Sequence, residues 1–546
     1  MAFTSLYQHS SVVTRLFEAL KPTQARVHLG GTTGSMSSVV GAAVALATPD
    51  RRHLFVAGSR EDAYYLLNDL ETLLDEQDKD ADKKRVLLFP TTYRKPYQME
   101  DTDNANVLQR SEVVKQLNAG LPLVIVTYPE ALSEKVVSAH TLNSNTLVVA
   151  KGGDLSMDFV TVVLQEYGFD RVDFVVEPGQ YAVRGGIVDV FSFANEHPFR
   201  IEFFGEAVES LRTFDPVSQL SIRPYNQITV IPNLDRRRDE VPAELLTKPS
   251  DEEEKVGLLN YFNGEDFVWT QGLMLVSETI EKCFATARSE YDKLKSSPVA
   301  HVKPERLYSS ANEFLRELLE CKVVEVGNST FFNKATDVSV HSEPQPAFNK
   351  QFDMLRQTLA GYAEKQYNIY ICTSNEQQRK RLDKILFPPD TEGKPTAGQS
   401  EAQRMEIVET ALRKGFVDHD ERIVCFTDHE IFERYHKYTV RDMQQSREAM
   451  TLKELFELKP GDYVTHIDYG VGVFSGLEKI ETNGKTQEVI RLTYKNNDTL
   501  YISIHGLHKI SRYVGKDGVA PTLNRLGSNT WQVLKQRTKK QVKDIA

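Results

Sequence analysis

The chain has 546 residues and a formal net charge of −11, too long for one core, so about three to five domains are expected. With 40% hydrophobic and 26% charged residues, it has the composition of a folded globular protein and not of a disordered one. The acidic balance argues against a chain that coats nucleic acid over its whole surface. Residues 453–546 depart from it: 15 Lys/Arg stand against 10 Asp/Glu there, a net of +5 that leaves −16 for the rest.

The start, "MAFTSLYQHSSVVTRLFEALK", has no signal-like pattern, and no apolar run approaches about 18 residues, so neither secretion nor a membrane span is expected. "RHLFVAG" reads as a strand and "REDAYYLLNDLETLLDEQ" as a helix. "RVLLFP", the helical "NANVLQRSEVVKQLNAG" ending on Gly120, and "PLVIVTYPEAL" follow. Strand–helix–strand repetition of this kind predicts a parallel sheet covered by helices over 1–137. From about 170 to 232 consecutive strands take over: "DFVVEPGQYAVRGGIVDVFSF", "FRIEFFG", "AVESLRTFD" and "QITVIP". They predict a mostly antiparallel module over 138–235, inserted in an α/β frame that resumes over 236–335. Residues 336–348, "TDVSVHSEPQPAF", have linker composition. A small α/β domain of unclear role is expected over 349–445: the strand "NIYICT", a loop "FPPDTEGKPTAGQS", a helix "EAQRMEIVETALRKG" and the strand "RIVCFTDHEIF". The short strands "GVFSGLEKI", "EVIRLTY" and "TLYISI", the last two joined by a turn at "KNND", predict a small β-barrel over 453–526. The final stretch, 527–546, reads as a helix still in progress, so a longer parent protein is expected.

Residues 29–38, "LGGTTGSMSS", occupy the first strand-to-helix turn, where phosphate loops sit. Against the pattern G-x-x-x-x-G-K-[ST], Gly31 and Ser38 are in place, with Gly34 between them, but Met36 replaces the second Gly and Ser37 replaces the Lys. The loop lacks the cation for the β/γ-phosphates, and a Cβ intrudes where backbone should close on phosphate. It reads as a remnant, and no catalytic residue and no cofactor are expected in this chain.

In "FRIEFFG" the strand alternation sends Ile201 and Phe203 one way and Arg200, Glu202 and Phe204 the other. Exposed aromatic plus Arg is an interface composition, and Arg184, just before Gly185-Gly186, could join that face. Alternatively, Arg200 and Arg184 pair with Glu202 or Asp189, and Phe204 folds over the turn. In "GLEKIETNGK" Ile480 is apolar where solvent is expected, on a hairpin whose edge could accept a partner strand; an isolated surface Ile is the plainer alternative. His466, His505 and His508 form no metal or triad spacing. Cys283, Cys321, Cys372 and Cys425, about 40–50 residues apart, suggest neither a metal site nor a disulfide framework but a reduced cytoplasmic protein.

"YAVRGGIVDVFSF" with "FRIEFFGEAVESLRTFDPVSQ" resembles the signature of the UvrB-like module. "GDYVTHIDYGVGVFSGLE", "LYISIHGLHKISRYVG" and "LNRLGSNTWQVLKQRTKKQVKDIA" look like the polymerase-interacting domain of the bacterial transcription-repair coupling factors and the helix after it. Both blocks in this order are similar to the N-terminal portion of that family. The resemblance implies an α/β multidomain architecture with a degenerate nucleotide loop (Gly31, Gly34, Met36, Ser37, Ser38) and a C-terminal SH3/Tudor-like barrel. It also implies UvrA binding through Arg184, Arg200 and Phe204. Binding to the β subunit of RNA polymerase is implied through Leu477, Lys479, Ile480 and Glu481. ATP, magnesium and most DNA contact would belong to a translocase motor beyond this chain. Where the family often carries S-Q-R, Leu220 replaces the Arg. The rival reading is an ATP-dependent DNA-remodelling enzyme whose N-terminal module itself binds nucleotide. A free-standing polymerase-binding regulator would use only the last 100 or so residues.

Overall fold

The computed structural model describes residues 2–526 except 78, 80–83, 93–95, 98–103, 145, 154, 193–194, 196, 206, 217–218, 231–253, 295–300, 387–404, 435–457, 467–468, 483–484, 504–509, 514–520, 522 and 524. At 2–4, 104–105, 143–144, 166, 479–482, 485–488, 503 and 511–512 it describes backbone alone. Two compact units emerge: Met1–Asn145 with Leu234–Val440, and Thr146–Asn233 with Arg441–Ala546.

The first unit is built on a seven-stranded parallel sheet. Its order is Thr336–Ser339, Arg26–Gly30, Lys322–Val326, Phe267–Gln271, His53–Val56, Val124–Thr127, Val86–Leu88. The strands His53–Val56, Val124–Thr127 and Lys322–Val326 are buried at every residue, as a sheet covered on both faces requires. Helix Met36–Ala47 is apolar nearly all round and buried accordingly. Helix Arg60–Leu73 starts on Ser59, whose hydroxyl accepts from the Asp62 N–H, with Glu61 and Asp62 in its first turn. The sheet takes four strands from before the inserted module and three from after it.

Residues 336–348, expected as linker, do structural work instead. Thr336–Ser339 closes the edge of the first sheet beside Arg26–Gly30, and Ser342–Pro344 opens a second, five-stranded sheet. That sheet runs Ser342–Pro344, Phe416–Asp418, Ile423–Thr427, Asn368–Thr373, Met405–Glu409. Met405–Glu409 is a strand parallel to Asn368–Thr373, not part of the helix expected over "EAQRMEIVETALRKG". The helix-forming composition of Ala, Glu, Arg and Met misleads there. Met405 and Ile407, two apart, pack against a core that includes Ile369, Ile371 and Phe426, which is a strand period and not a helical one.

In the second unit a six-stranded sheet has the order Ser221–Tyr225, Ala207–Phe214, Phe199–Phe204, Ile187–Val190, Gln180–Arg184, Asp170–Arg171. Only the last pair is parallel. One face carries Tyr181, Val188, Val190, Phe199, Ile201 and Leu211 into a core completed by Val160 and Leu164 of helix Met157–Glu166. The C-terminal strands form a five-stranded antiparallel sheet ordered Thr499–Ser503, Lys485–Thr493, Gly470–Thr482, Tyr463–His466, Ile510–Arg512. Among the described residues no ladder joins its two edge strands. The ladders establish an antiparallel sheet around Val464, Phe474, Ile490 and Leu492, the coarser part of the barrel expected over 453–526. Asn496 and Asn497 take positive φ in the "KNND" turn, which Asn tolerates better than most residues.

Candidate partner-binding surfaces and the degenerate nucleotide loop

The outer face of the six-stranded sheet begins at a tight hairpin. Gln180–Arg184 and Ile187–Val190 are joined by Gly185-Gly186 alone. Gly185 has φ +60°, a conformation that two-residue hairpins demand and glycine supplies without strain. The Gly186 carbonyl accepts from the Phe203 N–H at 2.8 Å, tying the hairpin to the neighbouring strand. Cross-strand register then sets Asp189 beside both Ala182 and Arg200, and Arg200 beside Arg212.

Asp189 is fully buried, and both arginines close on it. Arg200 donates Nε to Oδ1 at 2.6 Å and Nη2 to Oδ2 at 2.8 Å, and Arg184 donates Nη2 to Oδ2. Each guanidinium also covers a ring, Arg200 that of Phe214 at 4.3 Å and Arg184 that of Phe174 at 4.8 Å. Glu202 takes another partner, Arg212, and accepts from the Ser210 hydroxyl at 2.6 Å. Those two hydrogen bonds, that of Arg212 foremost, hold the Glu202 carboxyl down at about 2. Phe204 does not fold over the turn: its side chain is 80% exposed at the strand end. The sheet thus brings Arg184, Arg200 and Phe204 onto one face, with the arginines oriented from below by a buried carboxylate and the ring open to solvent.

Arg212 and Gln219 join this face without having been singled out in the sequence. Arg212 sits at the alternating position of "ESLRTFD" that faces Glu202, so the strand period itself pointed to it. Gln219, with φ +60°, turns its amide oxygen to Arg200 Nη2 at 3.2 Å, a contact no spacing rule reveals. Leu220 next to it is 69% exposed.

On the C-terminal sheet, Gly470–Thr482 and Lys485–Thr493 form a long antiparallel ladder in which Ile480 pairs with Gln487, Lys479 with Glu488 and Glu481 with Thr486. The side chains of Lys479, Ile480 and Glu481 lie outside the described residues. Leu477 packs partly buried against the sheet's own core, and Glu478 accepts from Arg491 at 2.6 Å. His466 is buried beside Tyr469, ring centroids 4.9 Å apart. His505 and His508 lie outside the described residues.

The glycine-rich turn at 31–35 faces protein. Gly31 and Gly34 have φ +76° and +56°. A Cβ on Gly31 would lie 2.1 Å from the Val340 carbonyl oxygen, and one on Gly34 would lie 2.3 Å from that of Gly415. The Ser35 N–H, at the start of helix Met36–Ala47, donates to the Lys414 carbonyl at 3.1 Å. The Lys414 N–H donates back to Ser35 Oγ at 3.0 Å. Met36 is fully buried. Beneath the turn, buried Asp69 accepts from the Arg413 N–H at 2.7 Å. Burial pushes its carboxyl up to about 6, against the lowering pull of hydrogen bonds from Ser35, Arg413 and Ser38.

Among the described residues no group of three His, Cys, Asp or Glu could hold a metal ion, and no helix is long and apolar enough to cross a membrane.

Two family models match the chain: the UvrB interaction domain over residues 147–235 and the CarD-like/TRCF RID domain over 458–514. The first covers the six-stranded sheet with its Arg/Phe face, the second the C-terminal sheet with its long ladder. Relatives described as transcription-repair-coupling factors match along most of the chain. That of Bacillus subtilis is 24% identical over 98% of this chain and 49% of its own length. Those of Haemophilus influenzae and Escherichia coli K12 are 24% and 25% identical, over 84% and 83% of this chain and 44% and 43% of theirs. The chain spans about half the length, or somewhat less, of these curated relatives.

Proposed function

On the premise that this chain corresponds to the N-terminal portion of the transcription-repair coupling factors, we propose that it is the adaptor of such a factor, holding RNA polymerase with one end and recruiting UvrA with the other. The observation that carries the reading is one chain with a UvrB interaction domain at 147–235 and a CarD-like/TRCF RID domain at 458–514, in that order. Any ATP-driven translocation belongs to the remaining half of a full-length relative, which would push a stalled polymerase while this half brings in excision repair.

UvrA is bound by the Arg184/Arg200/Phe204 face. Asp189 holds both arginines in place, Arg184 the more exposed of the two, so that the face offers a fixed guanidinium to acceptors of a partner and Phe204 offers a ring for burial. The β subunit of RNA polymerase is bound by the long ladder around Ile480, by addition of a partner strand along 475–482, which among the described residues pairs only with Lys485–Thr493. The competing enzymatic reading is disfavoured by the loop, where the anion position at Ser35 is taken by a peptide carbonyl and position 37 supplies no cation.

Calorimetric titration of the chain with UvrA, run beside Phe204→Ala at fixed salt, tests the reading. Saturable binding weakened about 5- to 150-fold in the variant, a loss of about 1–3 kcal/mol, is expected. No binding by the parent chain, or equal binding by both, removes UvrA from this face.

A further inference from the structure

The domain over 349–445 has no role in the adaptor reading, and the degenerate loop has lost its ligand. The structure joins these two loose ends. Residues 411–415 reach into the space a nucleotide loop would wrap around phosphate, and they do so from a braced position. The Gly415 N–H donates to Glu430 Oε2 at 2.6 Å, and the Arg413 carbonyl lies 2.8 Å from His429 Nε2. Glu430 is fixed in turn by the Thr427 hydroxyl at 2.8 Å. The backbone peptide of Lys414 then makes the two-way hydrogen-bonded pair with Ser35, which uses the N–H that a phosphate oxygen would otherwise claim.

Contacts around this pair fix the segment on both sides. Arg413 donates to Asp62 Oδ1 at 2.7 Å and stacks over Tyr65 at 4.3 Å. Asn68 donates to the Ala411 carbonyl at 3.3 Å. On the other rim the Ser342 hydroxyl donates to the Gly31 carbonyl at 2.7 Å and meets Thr33 Oγ1 at 2.9 Å. Gly31, which keeps the first glycine position of the phosphate-loop pattern, and Gly34 are both used here for close approach to this chain's own carbonyls, of Val340 and Gly415.

We propose that the degenerate nucleotide loop is a docking socket whose occupant is the 411–415 segment of the downstream α/β domain, held there by Arg413. The segment excludes nucleotide from the socket and fixes the domain on the seven-stranded sheet. The glycines are kept for docking and not as traces of phosphate binding. The loss of Lys at position 37 fits the same role, because a cation has no partner where a neutral peptide group sits.

Hydrogen–deuterium exchange on the full chain tests this with Arg413→Asp, which sets a carboxylate against Asp62 and Asp69. Exchange in peptides covering 31–38 and 411–416 is expected to accelerate together, at least tenfold, while the interior strand Lys322–Val326 stays protected and reports an intact sheet. Unchanged exchange at 31–38 overturns the proposal, whether or not 411–416 opens. Should the variant lose protection at 322–326, Arg413→Gln, which keeps the stem but drops the charge, replaces it with the same expectation. A titration with magnesium-ATP gives an independent arm: no saturable binding to the parent chain is expected, and saturable binding that slows exchange at 31–38 overturns the proposal.

Discussion

Arg200 grips Asp189 with two nitrogens, at 2.6 and 2.8 Å, from the adjacent strand, and this pairing organises the whole candidate UvrA face. Removing the carboxylate leaves two guanidiniums side by side without their shared counter-charge, that of Arg200 largely buried, so desolvation is no longer offset. Asp189→Ala is therefore expected to destabilise the module by about 3–5 kcal/mol, read as a lowered thermal midpoint of the second unit. A midpoint within a degree or two of the parent, which corresponds to well under about 1 kcal/mol, would show that the pair does not hold the face.

Phe204 gives the opposite pattern. With 80% of its surface already in water, truncation leaves folding nearly untouched, within about 0.5 kcal/mol, while partner binding suffers. Phe204→Ala combined with the unfolding curve of the parent separates a binding residue from a structural one. A large drop in midpoint would mean the ring is packed in solution.

On the long ladder, if Ile480 is the proposed polymerase contact, Ile480→Arg places a charge into it, which costs far more than the contact itself when desolvated. Loss of co-elution with the β subunit of RNA polymerase is the expected outcome. Retained co-elution would move the polymerase site away from Ile480.

The socket at 31–35 carries a pH dependence through Asp69. Its carboxyl titrates at about 6 in the fold against an ordinary 3.8, so the folded state holds the proton more tightly than the unfolded one. Stability from this group is full below about pH 4 and is lost as pH rises through 6, by about 3 kcal/mol at the outside. Of the charged and titratable groups, Arg413 and Cys425 act on it directly, and Asp62, Lys414, Glu430 and His429 gather around those two. Urea unfolding of the first unit should show a slope between pH 4 and 6 that Asp69→Asn flattens. A slope unchanged in that variant assigns the titration elsewhere.

Gly34→Ala tests the close approach directly. The position combines φ +56° with a carbonyl oxygen 2.3 Å from the new Cβ, and the expected cost is about 1–3 kcal/mol. Proteolysis in the 411–416 region, faster than in the parent, is the readout; equal rates would mean the loop tolerates a side chain.

Much of this was legible in the chain. The parallel sheet follows from buried strands such as His53–Val56 alternating with helices, and the outward set Arg200, Glu202 and Phe204 follows from a period of two. What stayed hidden depends on long-range geometry. Asp189 is eleven residues from Arg200, and whether it or Glu202 takes the arginine is decided by register, which sequence leaves open. Ser35 and Lys414 lie 379 residues apart, and no local pattern announces that a peptide group fills the loop. Cys372 and Cys425, separated by 53 residues, bring their sulfurs within 3.4 Å on neighbouring strands, a proximity that their spacing does not announce. Met405–Glu409 has helix-forming composition yet is a strand, because helix propensity is a weak prior that tertiary pairing overrides.

The most direct measurement of the adaptor claim is a bridging experiment: RNA polymerase immobilised on a sensor, this chain added to saturation, then UvrA. A second, saturable step on top of the first is expected, absent without the chain, lost with Ile480→Arg, and reduced with Phe204→Ala while the first step persists. A first step with no second, or UvrA binding that displaces the chain from polymerase, would contradict it.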